Sequence, residues 1–107
     1  MKAIINGLRY DTEKAVLIGE ASTPFTRLSG DFTHWEAGLY RTPRSGRYFL
    51  AGRGGPMTRF AHSAGQNETR GGSRIFPMDD AEALAWAEEY LTTDEIERGF
   101  AAKLEDA

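Results

Sequence analysis

The alternation of apolar and polar positions is clearest across residues 35–52, where it predicts two strands joined by a tight turn. In the first strand, over 32–42, Trp35, Ala37 and Leu39 share one face, and His34, Glu36, Gly38 and Tyr40 share the other. In the second, over 47–52, Tyr48 and Leu50 oppose Arg47, Phe49 and Ala51. Aromatic and branched residues on both sides suit a pleated, half-buried surface. Between the strands, Pro43 fixes φ at the first turn position and Gly46 supplies φ > 0 at the last, so 43–46 reads as a four-residue hairpin loop. Upstream, apolar runs at 3–5 and 8–10 enclose Asn6-Gly7, the strongest two-residue hairpin signal. Asp11 is placed to cap a short helical turn over 11–15. Residues 16–20 permit two readings, a helix continuing to Glu20 or a strand over 16–22. Val16, Ile18 and Gly19 favour the strand.

Residues 23–31, with Pro24, Ser29 and Gly30, predict a loop. A short strand is expected over 57–61 and another over 74–78. Between these, 62–73 carry almost no apolar side chains and predict an exposed loop. From Asp79 the period changes. Asp79 with Glu82 forms a capping box, and Leu84, Ala87 and Leu91 then share a helical stripe, with Ala83, Trp86 and Tyr90 beside it. Thr92 with Glu95 repeats the box and opens a second helix, faced by Ile96, Phe100 and Leu104. Gly99 weakens that helix by about 1 kcal/mol relative to Ala. The pattern predicts an α+β fold: an antiparallel meander sheet with an N-terminal hairpin and a C-terminal pair of amphipathic helices, packed by Leu84, Leu91, Ile96 and Phe100.

Length and composition narrow the class. At 107 residues there is room for one domain, and 40% hydrophobic residues are too many for intrinsic disorder. The absence of cysteine excludes disulfides and Cys-based zinc sites, and fits a reducing, cytoplasmic location. The apolar run at the N-terminus is too short for a signal peptide, and no stretch reaches membrane-spanning length, so no membrane partner is expected. The net charge of −3 hides a division. Residues 1–76 carry 11 Lys/Arg against 6 Asp/Glu, and residues 77–107 carry 2 against 10. The first part suits anionic partners and the second basic ones, although a charge run on a helix is ordinarily a solvated face.

Catalytic signals are absent from this pattern. The two histidines, His34 and His62, lack ligands at metal-binding spacing, and Ser63 beside His62 has no nucleophile-elbow context. No cofactor, metal or catalytic residue is expected. Asp79 and Asp80 sit where a helix N-terminus favours negative charge. Gly52-Arg53-Gly54-Gly55 lacks the Lys-Ser/Thr of a phosphate loop, and reads as glycines at φ > 0 in a turn before Pro56. Arg44, Arg47 and Arg53 interleave with Tyr40, Tyr48 and Phe49, a pattern that stacks bases on a sheet surface and equally describes a sheet with one face in the core.

Four segments carry a resemblance: Ile-Ile-Asn-Gly-Leu-Arg-Tyr-Asp-Thr at 4–12, Leu-Tyr-Arg-Thr at 39–42, Gly-Arg-Tyr-Phe-Leu-Ala-Gly-Arg-Gly-Gly at 46–55 and Glu-Ala-Leu-Ala-Trp-Ala-Glu at 82–88. The chain resembles a family of small proteins of phages and integrative elements, over most of its length apart from 62–73. The resemblance implies an accessory or anti-defence role, including inhibitors similar to anti-CRISPR proteins, and carries no catalytic residues across. The function expected from it is a non-enzymatic protein-binding module that inhibits a host defence nucleoprotein complex of the CRISPR-Cas kind. The alternative is a small nucleic-acid-binding protein using the Arg/aromatic sheet surface. Candidate contact residues are Glu88, Glu89 and Glu95 on the acidic helices, and Arg44, Arg47 and Arg53 on the basic strands.

Overall fold

A computed structural model describes residues 1–23, 33–55, 58–65 and 68–107. Strands β1 (Lys2–Ile5), β2 (Leu8–Asp11), β3 (Val16–Ser22), β4 (Trp35–Arg41), β5 (Tyr48–Gly54), β6 (His62–Gly65), β7 (Glu68–Arg70) and β8 (Gly72–Met78) precede helices α1 (Asp80–Tyr90) and α2 (Thr93–Phe100). A last 3₁₀ turn covers Ala101–Lys103. The main sheet has the order β3-β4-β5-β8 and is antiparallel throughout, while β1-β2 and β6-β7 form separate hairpins. This is the α+β meander that the sequence predicts.

Turn chemistry sets the local registers. Asn6 and Gly7 take φ of 52° and 79°, the left-handed pair that a two-residue hairpin turn demands, and bring Ile5 opposite Leu8. At the central hairpin Gly46 has φ 66° and its amide donates to Thr42 O, while the Thr42 hydroxyl accepts from the Arg47 amide. After β2 the Asp11 carbonyl accepts from the Lys14 and Ala15 amides, and Asp11 Oδ1 accepts from the Glu13 amide, closing the expected turn. The segment from Val16 is a strand. Its register shifts between Leu17 and Gly19, so that Ile18 and Gly19 both turn toward the helices.

Both faces of the sheet are covered along β5. On one, Ala37, Leu39, Tyr48 and Leu50 pack against Ala83, Trp86, Ala87 and Phe100. Tyr48 stacks on Phe100 at 4.7 Å between centroids, and its hydroxyl donates to Gly99 O at 3.0 Å. On the other face, the N-terminal hairpin lays Tyr10 over Phe49, Ala51 and Ile75. The half-buried surface expected from the pattern is therefore buried on both sides along β5, where every residue from Tyr48 to Gly52 is buried. The run Tyr-Phe-Leu-Ala-Gly contains no charged side chain, and its one polar group, the Tyr48 hydroxyl, is hydrogen-bonded, as a strand covered on both faces requires.

Several local expectations are corrected. Residues 58–61 form a turn and not a strand, because the Gly55 carbonyl accepts from both the amide and the hydroxyl of Thr58 and the Thr58 carbonyl accepts from the Ala61 amide. Residue 57 and the loop predicted over 23–31, apart from Thr23, lie outside the described residues. The expected exposed loop at 62–73 instead supplies β6, β7 and the first residues of β8. Strand ladders there rest on backbone groups, which an apolar-pattern reading does not detect. Gly52 and Gly54 are extended residues of β5 and not φ > 0 turn glycines. Leu104 lies beyond both the helix and the 3₁₀ turn and is exposed, since α2 ends at Phe100.

Gly99 shows the same lesson with a change of sign. Helix propensity alone favours Ala there by about 1 kcal/mol. A Cβ at Gly99 would stand 2.6 Å from Ile18 Cγ2 and 3.1 Å from its Cδ1, inside a packed core. Gly99→Ala is expected to destabilise by about 1–3 kcal/mol, the usual cost of overpacking. Urea denaturation with a midpoint at or above that of the wild type would contradict this close approach.

Candidate functional site

The acidic helices are held by reciprocal caps. Asp79 Oδ1 accepts from the Glu82 amide while Glu82 Oε1 accepts from the Asp79 amide, and Thr92 with Glu95 repeats the arrangement. Glu95 is thus occupied. The Thr92 amide holds its carboxyl below the usual carboxylate range, against partial desolvation, with further help from the Thr92 hydroxyl and Arg98. Its side chain also stands over Gly19. Glu88 and Glu89 lie in the last turn of α1, away from its cap at Asp79 and Glu82, and are exposed while the helix docks through Ala83, Trp86 and Ala87. Next to them Tyr90 is 41% exposed, in edge contact with Trp35 at 5.0 Å and tilted against Trp86 at 5.1 Å. Partial desolvation raises the Tyr90 phenol pKa, followed by the charge of Glu89, which also accepts its hydrogen bond, while Arg59 opposes.

The three candidate arginines do not converge. Arg44 and Arg47 belong to the loop between β4 and β5. Arg53 lies near the far end of β5, about 20 Å along the strand at ~3.3 Å per residue, where it pairs with Glu36. Other arginines of the basic segment also serve the fold. Arg41 Nη1 donates to Gly99 O at 3.4 Å, and Arg59 and Arg74 lie over the Phe76 ring at 4.7 and 5.2 Å. The aromatic residues offered for base stacking are mostly withdrawn: Tyr48 and Phe49 are each no more than 2% exposed, and Tyr40 is half-buried.

Instead, the fold brings Arg44 together with Arg9 of β2 and Lys14 of the following turn, around a cleft of about 280 Å³ also lined by Asp11, Thr42 and Ser45. Sequence reasoning missed Arg9 and Lys14. Their separation from Arg44 by some thirty residues leaves no local signal, and only the docking of the N-terminal hairpin on the sheet joins them. Arg47 faces a different hollow on the other side of the loop, shared with Asp79, Asp80 and Lys103.

A third hollow, of about 480 Å³, lies on the hairpin side of the sheet between Glu20, Glu36, Tyr40 and Arg53. Burial raises the Tyr40 phenol pKa, and the charge of Glu20 adds to that. His34 lines an adjoining hollow together with Glu36 and Arg53. His34 Nδ1 lies 3.1 Å from the Thr23 hydroxyl and His62 Nε2 lies 3.2 Å from Ser73 O. Among the described residues no group of three or more His, Asp or Glu is placed to hold a metal ion, and no helix is long and apolar enough to cross a membrane.

No protein family, curated protein or solved structure matches this chain.

Proposed function

We propose that this protein is a non-enzymatic, cytoplasmic binding module of a mobile element that inhibits a host defence nucleoprotein complex of the CRISPR-Cas kind. The resemblance of the segments at 4–12, 39–42, 46–55 and 82–88 to small phage and integrative-element proteins motivates the anti-defence part. The observation that carries the binding part is the outer side of α1. Glu88 and Glu89 stand in water there, and Tyr90, on the docked stripe with Ala83 and Trp86, stays 41% exposed at the edge where α1 meets Trp35. A rigid helix presenting an aromatic anchor within a field of carboxylates suits a basic protein groove. Tyr90 fills the contact, and the carboxylates steer the approach.

The test is functional. In cells whose CRISPR-Cas system targets an incoming plasmid, expression of the chain is expected to raise transformation. Glu88→Lys with Glu89→Lys should remove much of that effect, with the circular dichroism spectrum and melting temperature unchanged. Glu95 is left out of this variant, because its reversal would break the α2 cap and confuse folding with binding. Unchanged transformation with the wild-type chain, across the defence types tested, would remove the anti-defence reading. A fully active double variant would remove the acidic helix as the contact.

A further inference from the structure

We propose that the cleft between the β2–β3 turn and the β4–β5 loop binds the phosphate backbone of duplex nucleic acid. Arg9, Lys14 and Arg44 reach it from three segments of chain, and Thr42 and Ser45 add hydroxyls, which lie 2.6 Å apart. Among the described residues the ion pairs are Arg53 with Glu36 and Lys103 with Asp80, and neither involves a cation of the cleft. One carboxylate, Asp11, also lines the cleft, but it is 8% exposed and its Oδ1 is taken by the Glu13 amide. Three lining cations against turned-in Asp11 and the exposed Glu13 of the same turn leave the opening positive by one charge.

Three further observations select the ligand. The cleft is open and its cations are exposed, so one small anion gains little from each of them in water. A polyanion gains more, because each neutralised phosphate releases condensed counterions. Among the described residues no aromatic ring lines the cleft: Phe49 lies under the N-terminal hairpin, Tyr48 under Phe100, and the half-buried Tyr40 faces the separate hollow beside Glu20. Contact with the backbone of a duplex needs no such platform. The acidic residues Asp79 and Asp80 lie with Arg47 on the far side of the loop, which confines a polyanion to the Arg9 side. This surface is separate from the outer side of α1, and the inference does not rest on the anti-defence proposal.

The experiment is fluorescence anisotropy of a labelled DNA duplex of arbitrary sequence with the full chain, repeated over a range of salt. Three phosphate contacts predict a slope of log K against log[salt] near −2.7, which is roughly 40-fold weaker binding between about 50 and about 200 mM salt. Arg9→Ala, Lys14→Ala and Arg44→Ala should each reduce the magnitude of the slope by about 0.9. Arg98→Ala, which removes the same charge from α2, should leave the slope unchanged. Thermal melting of each variant checks folding. The proposal is overturned by absence of duplex binding at the lowest salt or by a folded triple alanine variant that binds like the wild type. Tighter binding to single strands than to the duplex, or full competition by inorganic phosphate at a concentration matched in phosphate groups, would also overturn it.

Discussion

Trp86→Ala is expected to lower stability by about 3–5 kcal/mol, the range for truncating a large buried aromatic side chain. Trp86 is 7% exposed and belongs to the core cluster that joins α1 to Leu39, Tyr48 and Leu50 of the sheet. Trp35 lies 6.5 Å from it between centroids and Tyr90 5.1 Å, so truncation also leaves these two rings without their common partner. Domains of this size hold about 5–15 kcal/mol in all, and each kcal/mol moves the melting temperature by roughly 4–8 °C. A fall on the order of 20 °C is the result to look for by circular dichroism. Leu84→Ala should fall by clearly less, because Leu84 packs at the rim of the cluster and is only partly buried. Melting of the Trp86 variant within a few degrees of the wild type would mean that α1 is not docked on the sheet.

Gly52→Ala carries the second large effect, and here propensity points the wrong way. Gly in a strand interior costs roughly 0.5–1 kcal/mol relative to Ala, so the sequence alone recommends the change. In the fold, Gly52 is opposite Ala37 on one side and Arg74 on the other, in the middle of the sheet. An added Cβ would run into the Glu36 carbonyl and would lie 2.7 Å from Ala37 Cβ. The nearest obstacle is backbone of a paired strand, which cannot swing aside as a long side chain can. The expected loss is at or above about 3 kcal/mol, the upper end for overpacking. Denaturant midpoints for Gly52→Ala and Gly46→Ala, compared directly, separate the two glycine roles. Gly46 has open space around its missing Cβ and needs only its φ of 66°. A Gly52→Ala protein as stable as the wild type would show that β4 and β5 do not approach as described.

The acidic and basic halves behave differently under the same reading. The capping boxes at Asp79 and Thr92 were legible because both partners lie within one turn of helix, and so their chemistry is local. The Arg-rich segment was not legible in this way. Arg41, Arg53, Arg59 and Arg74 look alike in sequence to Arg44, but their partners are Gly99 O, Glu36 and Phe76, set by strand register and by the docking of α2.

What the sequence by itself determined is whatever rests on neighbours along the chain. The Asn6-Gly7 and Pro43–Gly46 turns, the face alternation of β4 and β5, and the starts of both helices all follow from backbone geometry and side chains a few residues apart. Only the tertiary structure decided the rest. It placed the N-terminal hairpin over Phe49, and so converted a candidate nucleic-acid surface into core. It paired Gly72 and Ser73 with Gly54 and Arg53, where the side-chain pattern indicated a loop. It gave Gly52 and Gly99 their tight neighbours, and it gathered Arg9, Lys14 and Arg44 into one cleft. Each of these depends on which surfaces meet after the chain has folded, and burial and charge convergence between distant segments leave no periodic trace in any one of them.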